Sequence, residues 1–117
     1  MLLFERYEGA CPVRVELLVT GTRLQVLETG QAARSLPPGA LEATMQRYGK
    51  DLAETSTPIE ELALPGGGRL WRFRYLPRFE VEPKDYLVYE QGDIQLCEVA
   101  ETICAALVWL SRASEKG

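Results

Sequence analysis

Arg69, Arg72, Arg74 and Arg78 place four guanidinium groups within ten residues that contain no acid. Such planar forks grip phosphate or carboxylate through paired hydrogen bonds. Trp71, Phe73 and Tyr75 are interleaved with them, and aromatic rings are platforms on which bases stack. The chemistry this suggests is binding of an anionic small molecule or of single-stranded nucleic acid. Alternation limits that idea. In an extended chain the three aromatics share one face, while Arg72 and Arg74 share the other. Base stacking with phosphate neutralisation needs both on one surface. The spacing therefore predicts aromatics toward the core and arginines in solvent, paired with acids such as Glu16, Glu28 or Glu90 on neighbouring strands.

Other residues with chemical capacity fall short of an assembled site. Glu60-Glu61, Glu80 with Glu82, and Glu98 with Glu101 are carboxylate pairs of the kind that hold Mg²⁺ or act as acid and base. Glu98 and Glu101 map to the polar side of a helix, which reads as a solvated face. Gly66-Gly67-Gly68 has no Gly-Lys-Thr pattern and precedes a strand, so it reads as a hairpin tip rather than a phosphate cradle. The chain has no histidine, which removes the usual base for a Ser or Cys nucleophile and the commonest zinc ligand. No catalytic set, metal site or cofactor motif is read. Cys11, Cys97 and Cys104 read as free thiols suited to a reducing cytoplasm. The last two are expected on one helix, beyond disulfide reach.

A different signal comes from Trp109. On a helix, Leu96, Val99, Ile103, Cys104 and Leu107 cover one broad arc, and Trp109 falls on the other side with Glu98, Thr102 and Ala105. An indole near water beside small Ala105 and Ala106 predicts an interface with another protein or a second copy, because tryptophan is enriched at interface hot spots. The competing expectation is that the loop from Pro77 to Pro83 folds over it.

These residues belong to a chain of 117 amino acids with 17 Asp and Glu against 13 Lys and Arg. Outside the arginine stretch nine bases face all 17 acids, a net charge of −8. That balance argues against a general nucleic-acid binder. The apolar start Leu2-Leu3-Phe4 is cut off by Glu5 too early for a secretory signal, and Ile103 to Leu110 is too short to span a bilayer. A soluble cytoplasmic protein with no membrane contact is expected.

The elements follow from periodicity. Leu2 to Glu8 reads as an edge strand. Val13, Val15, Leu17 and Val19 alternate with polar residues, and Gly21-Thr22 joins them to Arg23–Thr29 as a tight hairpin. Leu41, Met45, Tyr48 and Leu52 keep helical spacing after Pro37-Pro38-Gly39, with Gly49 expected to close the helix in the left-handed conformation. Residues 59–64 satisfy both a capping box and a hairpin arm, and the hairpin is favoured by Pro65 to Gly68. Tyr86 to Glu90 reads as a further strand, and a last helix as running from about Asp93 or Cys97 to Ser111. The expected fold is α+β: an antiparallel sheet of five or six strands in the order βββα-ββ(β)α, with two helices on one face. Residues 1–112 read as one domain and 113–117 as a disordered tail.

The leading functional expectation is a non-catalytic interaction module (an adaptor, chaperone-like or neutralising subunit) acting as a homodimer through Trp109, Ala105 and Ala106. The alternative is anion binding through Arg69, Arg72, Arg74 and Arg78. A weaker one is an enzyme built on carboxylates and arginine, which requires an acid pointing inward.

Overall fold

Short apolar runs broken by glycine turns assemble here into two antiparallel sheets around a long helix. The computed structural model describes residues 1–51 and 57–116. The first sheet is a meander of β1 (Leu2–Glu8), β2 (Cys11–Thr20), β3 (Arg23–Glu28) and the short β4 (Arg34–Ser35). Helix α1 (Ala40–Tyr48) follows. The second sheet contains β5 (Lys50–Asp51), β6 (Glu60–Ala63), β7 (Arg69–Tyr75), β8 (Lys84–Gln91) and β9 (Ile94–Val99), in the spatial order β5-β9-β8-β7-β6. Helix α2 (Ala100–Lys116) ends the described chain.

The fold is α+β with two helices, but the strands divide between sheets of four and five rather than forming one sheet. Tight hairpins dictate the division, because each pairs a strand with its sequence neighbour. The β2–β3 turn has only Gly21 and Thr22 between the paired Thr20 and Arg23, with Gly21 at φ 63°, as a type II′ turn requires. Where β1 approaches β6, a side chain takes the place of a ladder: the Leu2 N–H donates to Glu60 Oε1 at 2.9 Å. Pro12 lies within β2 opposite Tyr7, beyond the stretch that β3 pairs. Its missing N–H therefore costs no hydrogen bond on that side.

Packing centres on α2. Ala100, Ile103, Cys104 and Leu107 are buried together with Leu3, Leu17 and Val26 of the first sheet, Leu70, Leu87 and Tyr89 of the second, and Leu41 and Met45 of α1. A smaller cluster of Trp71, Phe73 and Val88 lies on the opposite face of the second sheet, with Tyr86 and Cys97 against it.

Local expectations are corrected at both ends of α2 and at Gly49. The helix begins at Ala100, since residues 94–99 pair with β8 along their whole length, from Ile94↔Gln91 to Val99↔Tyr86. Cys97 is thus on a strand and Cys104 on the helix, and all three cysteines are free thiols. Gly49 has φ −72° and is extended, not left-handed. Its role is close approach, because a Cβ there would meet Leu96 Cβ at 2.9 Å as well as the Met45 carbonyl. Residues 59–64 form the hairpin arm, with Ala63 opposite Arg69. At the C-terminal end the α2 backbone continues through residues 113–116, which the sequence reading assigned to a tail. Leu52 lies outside the described residues.

Candidate functional site

Strand β7 sorts its side chains by alternation, but water lies on neither side of its central residues. Leu70 and Arg72 face the main core, whereas Trp71 and Phe73 face the second cluster, and all four are buried. The expected arrangement of aromatics inside and arginines outside is therefore reversed at Arg72. Its guanidinium is held by Asp85 (Nη1 to Oδ2, 2.9 Å) and approached by Glu60 at 3.6 Å, while its Nε has no partner among the described residues. Arg74, directly opposite Asp85 in the ladder, donates its Nε to Oδ1 of the same carboxylate at 2.8 Å and is exposed.

On the other face Arg69 bridges Glu90 at 2.6 Å and Glu61 at 2.5 Å. Trp71 Nε1 and Gln95 Nε2 donate to the same Glu90 carboxylate at 3.0 and 2.8 Å. The hydrogen bond from Arg69, helped by those from Trp71 and Gln95, holds Glu90 below the usual carboxylate range despite its partial burial. Glu60 and Glu61 do not act as a pair: consecutive on β6, they point to opposite faces and serve different arginines. Arg78 is apart from the other three, with its guanidinium 5.5 Å from the Phe79 ring centre. Of the acids expected to face the arginine strand, Glu90 does so. Glu16 lies by Arg14, and Glu28 belongs to another cluster.

That cluster escaped the sequence reading. Glu28 is on the core-facing side of β3 and is bonded by Arg34, itself 6% exposed, and by Arg112 at 3.0 Å. Arg34 also donates to Ser111 Oγ at 3.1 Å and to Gln31 at 2.6 Å. Burial opposes the charge on Glu28, yet the bonds from Arg34 and Arg112 bring its carboxyl below the usual range. An inward acid therefore exists, but two arginines already occupy it. The signal for it was present, since Leu24, Val26 and Glu28 share one face by alternation.

Glu80, Glu82 and Glu101 are exposed, and Glu98 is half-buried on β9 rather than on the helix. Glu80 is 3.7 Å from Lys84, and Glu80, Glu82, Asp85 and Glu101 border a depression of about 620 Å³ with Arg74. Among the described residues no cluster of three or more Cys, Asp or Glu side chains is arranged to hold a metal ion. Burial pushes the Cys97 and Cys104 thiols up to about 11, so both are protonated and poor nucleophiles at neutral pH. Cys11 is exposed on β2.

The helices present the contrasting surface. Trp109 is 68% exposed, and beside it α1 and α2 form an open groove of about 540 Å³ lined by Ala43, Arg47, Tyr48, Thr102, Ala105 and Ala106. The Pro77–Pro83 loop does not line this groove; it borders the acidic depression instead. No protein-family model, curated protein or solved structure matches the chain. The argument about function rests on these two surfaces: an arginine strand matched by Glu60, Glu61, Asp85 and Glu90, and a helical face with an uncovered indole. No helix among the described residues is long and apolar enough to cross a membrane.

Proposed function

We propose that the protein is a non-catalytic interaction module that engages a protein partner through the α1–α2 face around Trp109. The observation that carries this reading is the 68% exposure of Trp109 at the edge of an apolar groove. A tryptophan buries roughly 150–250 Å² when covered, so leaving two thirds of it in water forgoes about 3 kcal/mol of hydrophobic free energy. Surface positions on a helix do not require an indole for folding, whereas interface centres favour one. The neighbouring Ala43, Ala105 and Ala106 allow a partner's backbone to come close. Free, high-pKa thiols at Cys97 and Cys104 fit a reducing compartment such as the cytoplasm.

The alternative, anion capture by β7, is less well supported. An incoming phosphate would have to displace Asp85, Glu61 and Glu90 from Arg69, Arg72 and Arg74. The test is a photoreactive phenylalanine analogue at Ala105, expressed in cells. A protein adduct that disappears when Trp109→Ala is added supports the module. Absence of any adduct, or one indifferent to Trp109→Ala, overturns it.

A further inference from the structure

The face that holds Trp109 carries an exposed indole, small neighbours at Ala105 and Ala106, and one charge of each sign on one flank. Taking Trp109 as the centre of the exposed stripe, 100° per residue places Thr102 about 20° to one side and Ala105 about 40° to the other. Glu101 and Arg112 lie on the same flank as Ala105, roughly 80° and 60° from Trp109. They are 11 positions apart, about 16 Å along the axis. Glu101 makes no ion pair with any described residue, and Arg112, with a side chain 55% exposed, uses one nitrogen on Glu28.

We infer that the occupant of this face is a second copy of the chain, with the two α2 helices packed antiparallel about a two-fold axis passing between Ala106 and Leu107. The inference rests on the interaction-module reading and names its partner. A two-fold perpendicular to the helices reverses direction along the axis and preserves the flank. In that register Glu101 of each copy stands level with Arg112 of the other, on the same flank. Trp109 then falls between Thr102 and Ala105 of the facing helix, where small side chains leave room for it. One choice of axis satisfies both the charges and the packing. A parallel pairing about an axis along the helices would swap the flanks and leave Glu101 and Arg112 of one copy on the side away from those of the other, so neither charge would meet its opposite.

The register is tested with engineered cysteines in the full chain carrying Cys11→Ser. Ala105→Cys puts the two thiol-bearing positions about 4–5 Å apart along the axis, whereas Thr102→Cys puts them about 13 Å apart. Disulfides need Cα atoms within about 7 Å. Mild oxidation should therefore link Ala105→Cys into a species of twice the mass and leave Thr102→Cys unlinked. Glu101→Arg should weaken self-association, read by native mass spectrometry, by about tenfold, because each copy then sets two arginines together. Linking of Thr102→Cys in place of Ala105→Cys would overturn the register. A monomer in native mass spectrometry with neither variant linked would overturn the second copy as occupant. The module reading would fall separately, only if the photoreactive group at residue 105 also captured nothing in cells.

Discussion

Replacing Arg34 by methionine would remove the centre of the buried charge cluster while keeping much of its volume. Arg34 is 6% exposed and bonds Glu28, Ser111 and Gln31. Its loss leaves Glu28, whose side chain is 11% exposed, with Arg112 alone. Breaking a buried pair by removing one partner costs about 3–5 kcal/mol. Arg112 still reaches the carboxylate, which puts Arg34→Met near the low end, about 3 kcal/mol. That is a large share of the roughly 5–15 kcal/mol that holds a domain folded. Ser111 adds little to the loss, because its hydroxyl still donates to the Val108 carbonyl at 2.8 Å. The double variant Glu28→Leu with Arg34→Met should recover to within about 1 kcal/mol of the parent, since it leaves no buried charge unpaired. Urea unfolding followed by circular dichroism reads all three. The acid limb supplies a second readout. Glu28 titrates below its ordinary 4.5 in the folded protein, so its contribution is complete above that pH and disappears as pH falls through the lower folded value. Parent and Arg34→Met should therefore converge as pH falls through that lower folded value. A cost under about 1 kcal/mol at neutral pH, or a gap that persists in acid, would refute the reasoning.

Thiol accessibility should be ordered. Ellman's reagent on the folded protein is expected to react fast at Cys11, slowly at half-buried Cys97, and at Cys104 only in denaturant; fast reaction of all three would contradict this order. Phe79 has φ 71° and is 96% exposed, so its side chain contributes little while its backbone is strained. At this position glycine should be more stable than alanine by about 1 kcal/mol, the reverse of the ordinary order, as measured by urea midpoints. Gly49→Ala should cost about 2 kcal/mol by thermal unfolding, because its Cβ would crowd Leu96 and the Met45 carbonyl. A neutral result would show that α1 and β9 can separate there without loss.

What could be read from the chain was whatever a single periodicity dictates. Val13, Val15, Leu17 and Val19 alternate cleanly because the middle of that face of β2, Val15 and Leu17, meets the core, although Val19 at its end is exposed. Gly21-Thr22 and the glycines before Arg69 marked their hairpins. Trp109 was placed on the exposed side because Ile103, Cys104 and Leu107 set the phase of α2 wherever the helix begins. Its start was misread because Leu96, Val99, Ala100 and Ile103 satisfy a helical arc, while Ile94 to Val99 also alternate. Pairing with β8, a contact between distant residues, decides between the two. Strand β7 defeated the in-or-out reading because both of its faces are apolar surroundings, and Arg72 enters the core only because Asp85 and Glu60 arrive with it. The Glu28 cluster joins residues up to 84 positions apart, and no local pattern encodes that meeting.

The position of α2 also governs the order in which the molecule can be built. Among the described residues every strand precedes it in sequence, and each sheet has its sequence-local hairpins, which close quickly. The apolar faces of the two sheets, Leu17 and Val26 on one and Leu70 and Leu87 on the other, find their common cover only when Ile103 and Leu107 arrive. During synthesis on the ribosome, the meander and the second sheet are therefore held with bare inner faces until α2 emerges. Docking of α2 is the committing step, and chains halted before it are the species exposed to aggregation and to chaperones.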